Sequence, residues 1–195
     1  MIARLIALTS LGACAARTTP QPPPCPTAPV VASSQADLDA LAGCPTLAGL
    51  TIRSAAPLDL APLATLTAVR GDLVIGPTLA LERVTLPALA EVGGRLAIVS
   101  NGGVRGVVLL ALTRVGALEL RDSLGLTEVL IPRLATVTAA VLIVRVPALE
   151  LVDASALTTV GAALTITAPR LATWLGTPPT PTGPRTVDAP GLPAP

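Results

Sequence analysis

The sequence predicts a mostly β chain wound as a single-stranded, right-handed parallel β-helix, a solenoid of about six coils of 22–23 residues capped by a short N-terminal helix. Three observations predict it. First, an L-x-I phrase returns at Leu50-Ile52, Leu73-Ile75, Leu96-Ile98, Leu118-Leu120, Val141-Ile143 and Leu164-Ile166, at steps of 23, 23, 22, 23 and 23. Second, three more apolar columns hold the same phase. They are Val69, Val92, Val115, Val137 and Val160; Leu63, Leu86, Leu109, Ile131 and Ala154; and Leu66, Leu89, Leu112, Leu134 and Leu157. Third, 51% of the chain is hydrophobic, yet it has no Phe, no Tyr and a single Trp. A core of small aliphatic side chains suits many similar thin layers better than one aromatic-centred core.

One coil reads as follows. L-x-I alternates with period two, so both apolar residues face one side of a strand. A Gly or other small residue just before it allows a corner. A variable turn follows, and then V-x-L-P-x-L, as in Val84-Thr85-Leu86-Pro87-Ala88-Leu89, gives a second inward pair and a Pro-bent return. A unit this short cannot bury its own apolar side, but stacked copies bury a continuous column. Six coils at about 4.8 Å each give a rod roughly 29 Å long. Charges in every coil oppose a membrane-spanning reading. β-branched residues and prolines oppose an α-helical repeat. A standard leucine-rich repeat would carry an Asn or Cys at a fixed place in each unit, whereas Asn101 is the only Asn here.

Residues 1–13 read as a secretory signal peptide, with Arg4 ahead of a short apolar run. Leu11-Gly12-Ala13-Cys14 resembles the lipobox of bacterial lipoproteins. That resemblance implies cleavage before Cys14 and a lipid on its sulfur, making the membrane a partner through the anchor. Several acyl chains anchor stably where one does not. Residues 14–33 then read as a Pro-rich tether, 34–175 as the solenoid, and 176–195 as a disordered Pro-rich tail.

Two stretches together, GDLVI…LPAL..VGGRLAIVSN and the entry CPTAPVVASSQADLDALAGCPTLAGLTI, resemble the receptor L-domain family, the β-helical modules of receptor ectodomains. The resemblance spans about residues 25–175 and implies the fold. The near absence of aromatic residues departs from it, and ligands do not carry over with a fold. Within the entry, Ser34 suits an N-cap, Asp37 and Asp39 suit the first turns, and Leu38, Leu41 and Ala42 form an apolar stripe that ends at Gly43. If Cys14 carries lipid, Cys25 and Cys44 remain, either as two free thiols or, as export favours, as a disulfide. Trp174, after the last L-x-I strand, is expected to cover the open end of the solenoid, with a partner contact as the other reading.

The inventory for chemistry is thin. There is no His and all thirteen basic residues are Arg, so a Cys/His metal cluster and a Ser-His pair at Ser100 or Ser123 are ruled out by composition. No metal or other cofactor is expected. The Gly93-Gly94 and Gly102-Gly103 pairs have no Lys after them and are not phosphate loops. Formal charge is +1, which leaves no electrostatic footprint for nucleic acid. Asp59 and Glu82, one repeat apart, are the one carboxylate pair that a polysaccharide-acting enzyme would use, but Arg105 stands next in that column. A non-enzymatic role is therefore expected: an exported, lipid-anchored cell-envelope protein that binds a protein or glycan ligand, or else a purely structural envelope protein. The outward residues Thr51, Val74, Ala97, Glu119, Leu142 and Thr165 are small and partly apolar; they read first as compositional filler, with a partner surface as the other reading. The phase of the repeat also sets four acids one coil before an Arg: Asp72 and Arg95, Glu82 and Arg105, Glu91 and Arg114, Asp122 and Arg145.

Overall fold

Alternation at period two makes each L-x-I phrase a strand with one apolar side, and that side must be covered. A computed structural model, which describes residues 24–177 and 179–192, stacks these strands in parallel as a β-solenoid of about seven turns. The main path of the 12-stranded first sheet runs Val30–Ala32, Leu50–Ser54, Leu73–Thr78, Glu91–Val99, Arg114–Arg121, Val141–Val144, Leu164–Thr167 and Arg185–Asp188. A 5-stranded second sheet is built from Arg83–Thr85, Gly106–Val108, Glu128–Leu130, Leu151–Asp153 and Thr173–Leu175.

The register follows the repeat. Leu73 pairs with Leu96, Leu96 with Leu118, and Leu118 with Val141. The valine column pairs Val69 with Val92, Val92 with Val115, Val115 with Val137, and Val137 with Val160. These residues enter one continuous core between the sheets. Leu73, Leu86, Leu112 and Val115 are fully buried, and each such side chain contributes about 1.5–3 kcal/mol.

Three corner devices hold the coils in step. At the first, Gly93 and Gly161 pass so close to Arg70 and Thr138 of the coil before that a Cβ would run into a carbonyl oxygen. At the second, just past the main strand, Ser100, Asp122 and Arg145 take φ of 56, 55 and 53°, a left-handed residue at the same place in successive coils. The third is a threonine rung. Thr67, Thr113 and Thr158 each donate their hydroxyl to a carbonyl one coil back, at Pro45, Ala90 and Ala135, over 2.8, 3.0 and 3.2 Å.

The entry folds as its residues dictate. Ser34 caps the helix Gln35–Asp39 in a capping box with Asp37; the helix ends at its C-cap Ala40, earlier than the expected stop at Gly43, which takes φ 80° in the turn that follows. Leu38 and Leu41 are buried, whereas Ala42 is exposed, so the apolar stripe is narrower than the spacing suggests. Cys25 and Cys44 form a disulfide with Cα atoms 5.6 Å apart.

Both expected boundaries of the solenoid move outward. Val30–Ala32, inside the expected tether, is the first strand and pairs with Leu50–Ile52. The expectation of a disordered tail over 176–195 is corrected, because Arg185–Asp188 pairs in parallel with Leu164–Thr167. Its strand has no L-x-I phrase to betray it; a backbone ladder at the open end of a stack needs little apolar burial, and Arg185 to Asp188 are all exposed.

Candidate interaction surfaces

The outer face of the first sheet carries the side chains that the core cannot accept. At its centre stands Glu119, only 8% exposed although it points away from the core. Arg95 reaches it from the coil before, with Nη1 at 2.8 Å from Oε2. Arg121 Nε lies 3.0 Å from Glu119 Oε1 but is not aligned to donate a hydrogen bond to it. Ala97, opposite Glu119 in the ladder, is 1% exposed without belonging to the core, so this charged group covers it from outside. The network extends to Asp72, whose Oδ1 accepts from the Arg95 N–H at 2.8 Å, and to Asp122, which Arg145 grips with Nε and Nη2, the latter at 2.7 Å. Within this network three arginines and three acids (Arg95, Arg121, Arg145 against Asp72, Glu119, Asp122) cancel. Arg145 holds the Asp122 carboxyl below the ordinary carboxylate range, and Asp122 in turn raises the Arg145 guanidinium. Each exposed pair contributes only about 0–1 kcal/mol, so the network orders side chains more than it stabilises the fold.

The four acid–Arg pairs expected from the repeat all sit on neighbouring coils. Asp72–Arg95 and Glu91–Arg114 approach to 4.0 Å, and Asp122–Arg145 is in direct contact. Glu82 and Arg105 are joined through the backbone, Arg105 N–H to Glu82 O at 2.8 Å, and make no ion pair among the described residues. The spacing argument missed two contacts. Arg95–Glu119 is two residues off the ladder register, in which Arg95 faces Ala117, and Arg83–Glu128, at 3.0 Å, spans two coils. Arg83, Gly106 and Glu128 stand in one ladder row, and a Cβ at Gly106 would meet Glu128. Without a side chain between them, the two charges meet over the glycine.

Asp59 and Glu82 line one open cleft of about 520 Å³ with Arg83 and Thr85. Asp59 spends its carboxylate locally, accepting the Ala61 N–H at 2.9 Å. Ser123 is buried and donates to the Arg121 carbonyl at 3.3 Å, which is a turn contact. Trp174 pairs with Val152 at the last rung of the second sheet and packs against the core; its indole N–H is buried with no partner among the described residues. Among the described residues no group of three or more His, Cys, Asp or Glu is placed to hold a metal, and no helix is long and apolar enough to cross a membrane. Cys14, the expected lipid site, lies outside the described residues.

Asn101 is the residue that sequence reasoning passed over. It is fully buried; its Oδ1 accepts from Thr78 N–H at 3.1 Å and Thr78 Oγ1–H at 2.7 Å, and its Nδ2 donates to Ile75 O at 2.9 Å. It staples the corner at Gly76, where φ is 130°. Its uniqueness in the chain was the available signal. The disulfide at the entry belongs to oxidising compartments and fits an exported protein. No protein family, no curated protein and no solved structure matches the chain.

Proposed function

We propose that this chain is an exported bacterial cell-envelope protein, anchored by lipid at Cys14, whose receptor L-domain-like solenoid serves a non-catalytic binding role. The observation that carries the reading is the Cys25–Cys44 disulfide at the entry cap, eleven residues after the Leu11-Cys14 lipobox-like stretch. The outer sheet face supports the binding role. Its side chains are held by ion pairs within a rigid stack, which lowers the cost of ordering them against a protein or glycan. Asp59 argues against hydrolysis, because its carboxylate accepts the Ala61 N–H in a local turn.

A site-specific test places a photo-crosslinking amino acid at Leu142, next to Glu119 in the ladder, in living cells. An envelope partner captured at Leu142 and not at the exposed Arg133 supports the binding role. Equal capture at both positions, or none at either, overturns it. Cys14→Ala is expected to release the protein from the membrane fraction, and retention there contradicts the anchor.

A further inference from the structure

The second sheet stops at Arg83–Thr85 because of one proline. The next coil reads V-x-L-P-x-L, with Pro87 after Leu86, but the preceding coil reads Ala61-Pro62-Leu63-Ala64-Thr65-Leu66. Pro62 stands at a strand position and has no N–H for a ladder. The chain closes on itself there as a 3-10 turn, Ala61–Leu63, with Leu63 N–H to Leu60 O at 2.9 Å and Ala64 N–H to Ala61 O at 3.0 Å. The Gln35 side chain takes both backbone groups of Asp59, at 2.8 and 3.1 Å. Among the described residues, no backbone hydrogen bond joins this coil to Arg83–Thr85.

On the other side, Arg105 N–H to Glu82 O and Leu86 N–H to Val108 O fix residues 82 and 86 toward the next coil. Alternate residues of a strand bond the same neighbour, so Arg83 and Thr85 turn their N–H and C=O groups to the open side. That side is the cleft of about 520 Å³, with Asp59, Ala61 and Ala64 on one wall and Glu82, Arg83 and Thr85 on the other. Arg83 is engaged by Glu128, whereas Asp59 and Glu82 have no ion-pair partner among the described residues. The free edge therefore lies in an acidic trough. The opposite edge of the same sheet, Thr173–Leu175, has a cleft of about 510 Å³ lined by both Glu150 and Arg170, which gives no preference of charge.

We propose that the cleft takes an extended, basic peptide segment that adds to Arg83–Thr85 as one more β-strand. An open edge is a template for backbone pairing, and alternate side chains of an added strand supply specificity. Basic side chains along one face of the peptide meet Asp59 and Glu82. The inference rests on the reading of the chain as a binding protein and is independent of the lipid anchor.

The test uses the purified full-length chain and a fluorescent hexapeptide of alternating lysine and valine, followed by anisotropy. Two further peptides carry N-methyl groups on alternate amides, one set on each edge of the strand, and a fourth replaces lysine by glutamate. The lysine peptide is expected to bind, with loss of affinity of about tenfold or more for the glutamate peptide and for one of the two methylated peptides. Thr85→Pro, which removes an edge N–H, is expected to lose binding by a similar factor. Should that variant fail to fold, the methylated pair decides the question with the native chain. No binding of the lysine peptide, or equal binding of both methylated peptides, overturns the proposal. So does a dimer of the unliganded chain that Thr85→Pro dissolves, because the edge would then belong to a second copy. Either failure leaves the outer-face role to be decided by crosslinking at Leu142.

Discussion

Asn101→Ala removes a side chain that serves three buried groups at once, the Thr78 N–H, the Thr78 hydroxyl and the Ile75 carbonyl. A buried polar group left without its partner costs about 1–3 kcal/mol, so three lost bonds give about 3 kcal/mol even at the low end. For a chain of this length, each kcal/mol lowers Tm by about 2–4 °C, which translates to a drop of about 6–12 °C. Urea unfolding followed by circular dichroism supplies the free energy, and a thermal scan supplies the second reading. Thr78→Val removes one of the three bonds and is expected to cost about 1 kcal/mol in the native background but much less in the Asn101→Ala background. A loss under about 1 kcal/mol for Asn101→Ala, or full additivity of the two changes, refutes the staple. In that case the Gly76 corner is held by backbone geometry alone.

Three further outcomes follow from the same structure. Cys25→Ser opens a disulfide of sequence separation 19, for which chain entropy gives about 3 kcal/mol; the loss is expected to appear as faster hydrogen exchange at Val30, which bonds Gly49, with central coils unchanged. Gly76→Ala, at φ 130° and against the Val99 carbonyl, is expected to cost at least about 2 kcal/mol, while Gly102→Ala, with only Leu79 nearby at 4.0 Å, stays within about 0.5 kcal/mol in urea unfolding. The third concerns pH. Hydrogen bonds, first from the Ser33 N–H, lower Asp37, and Arg145 lowers Asp122. A depressed carboxylate stabilises the fold above its unfolded pKa, and that share is lost as pH falls through the folded value. With no His in the chain, Tm is expected to stay level between about pH 5.5 and 7.5 and to fall below about pH 4, less steeply in Asp122→Asn. A transition near pH 6.5 contradicts this assignment.

The stacking was legible because its determinants repeat. Leu73, Leu96, Leu118 and Val141 sit in register because each fills the same layer, and a slip of one residue would turn every one of them outward. The ion pairs at step 23 were legible for the same reason, save that Glu82 and Arg105 share a rung without their charges meeting. What the repeat hides is whatever breaks it. Pro62 ends a sheet by a shift of two places, and Gly106 lets Arg83 reach Glu128 across two coils. Asn101 acts through a corner whose backbone no spacing reveals. The last coil, Arg185–Asp188, is made by main-chain pairing with exposed side chains, so hydrophobic pattern gives no sign of it. The candidate surfaces depend on these exceptions, which is why the outer face and the Asp59–Glu82 pair were legible as columns while the open sheet edge beside that pair was not.

The most direct measurement of the central claim is intact mass spectrometry of the protein extracted from membranes without reduction and after thiol alkylation. The account predicts a chain that begins at Cys14, carries acyl mass on that residue, and takes up no alkylating reagent at Cys25 or Cys44 until it is reduced. A chain that begins elsewhere with no lipid, or one alkylated at both Cys25 and Cys44 without reduction, contradicts it.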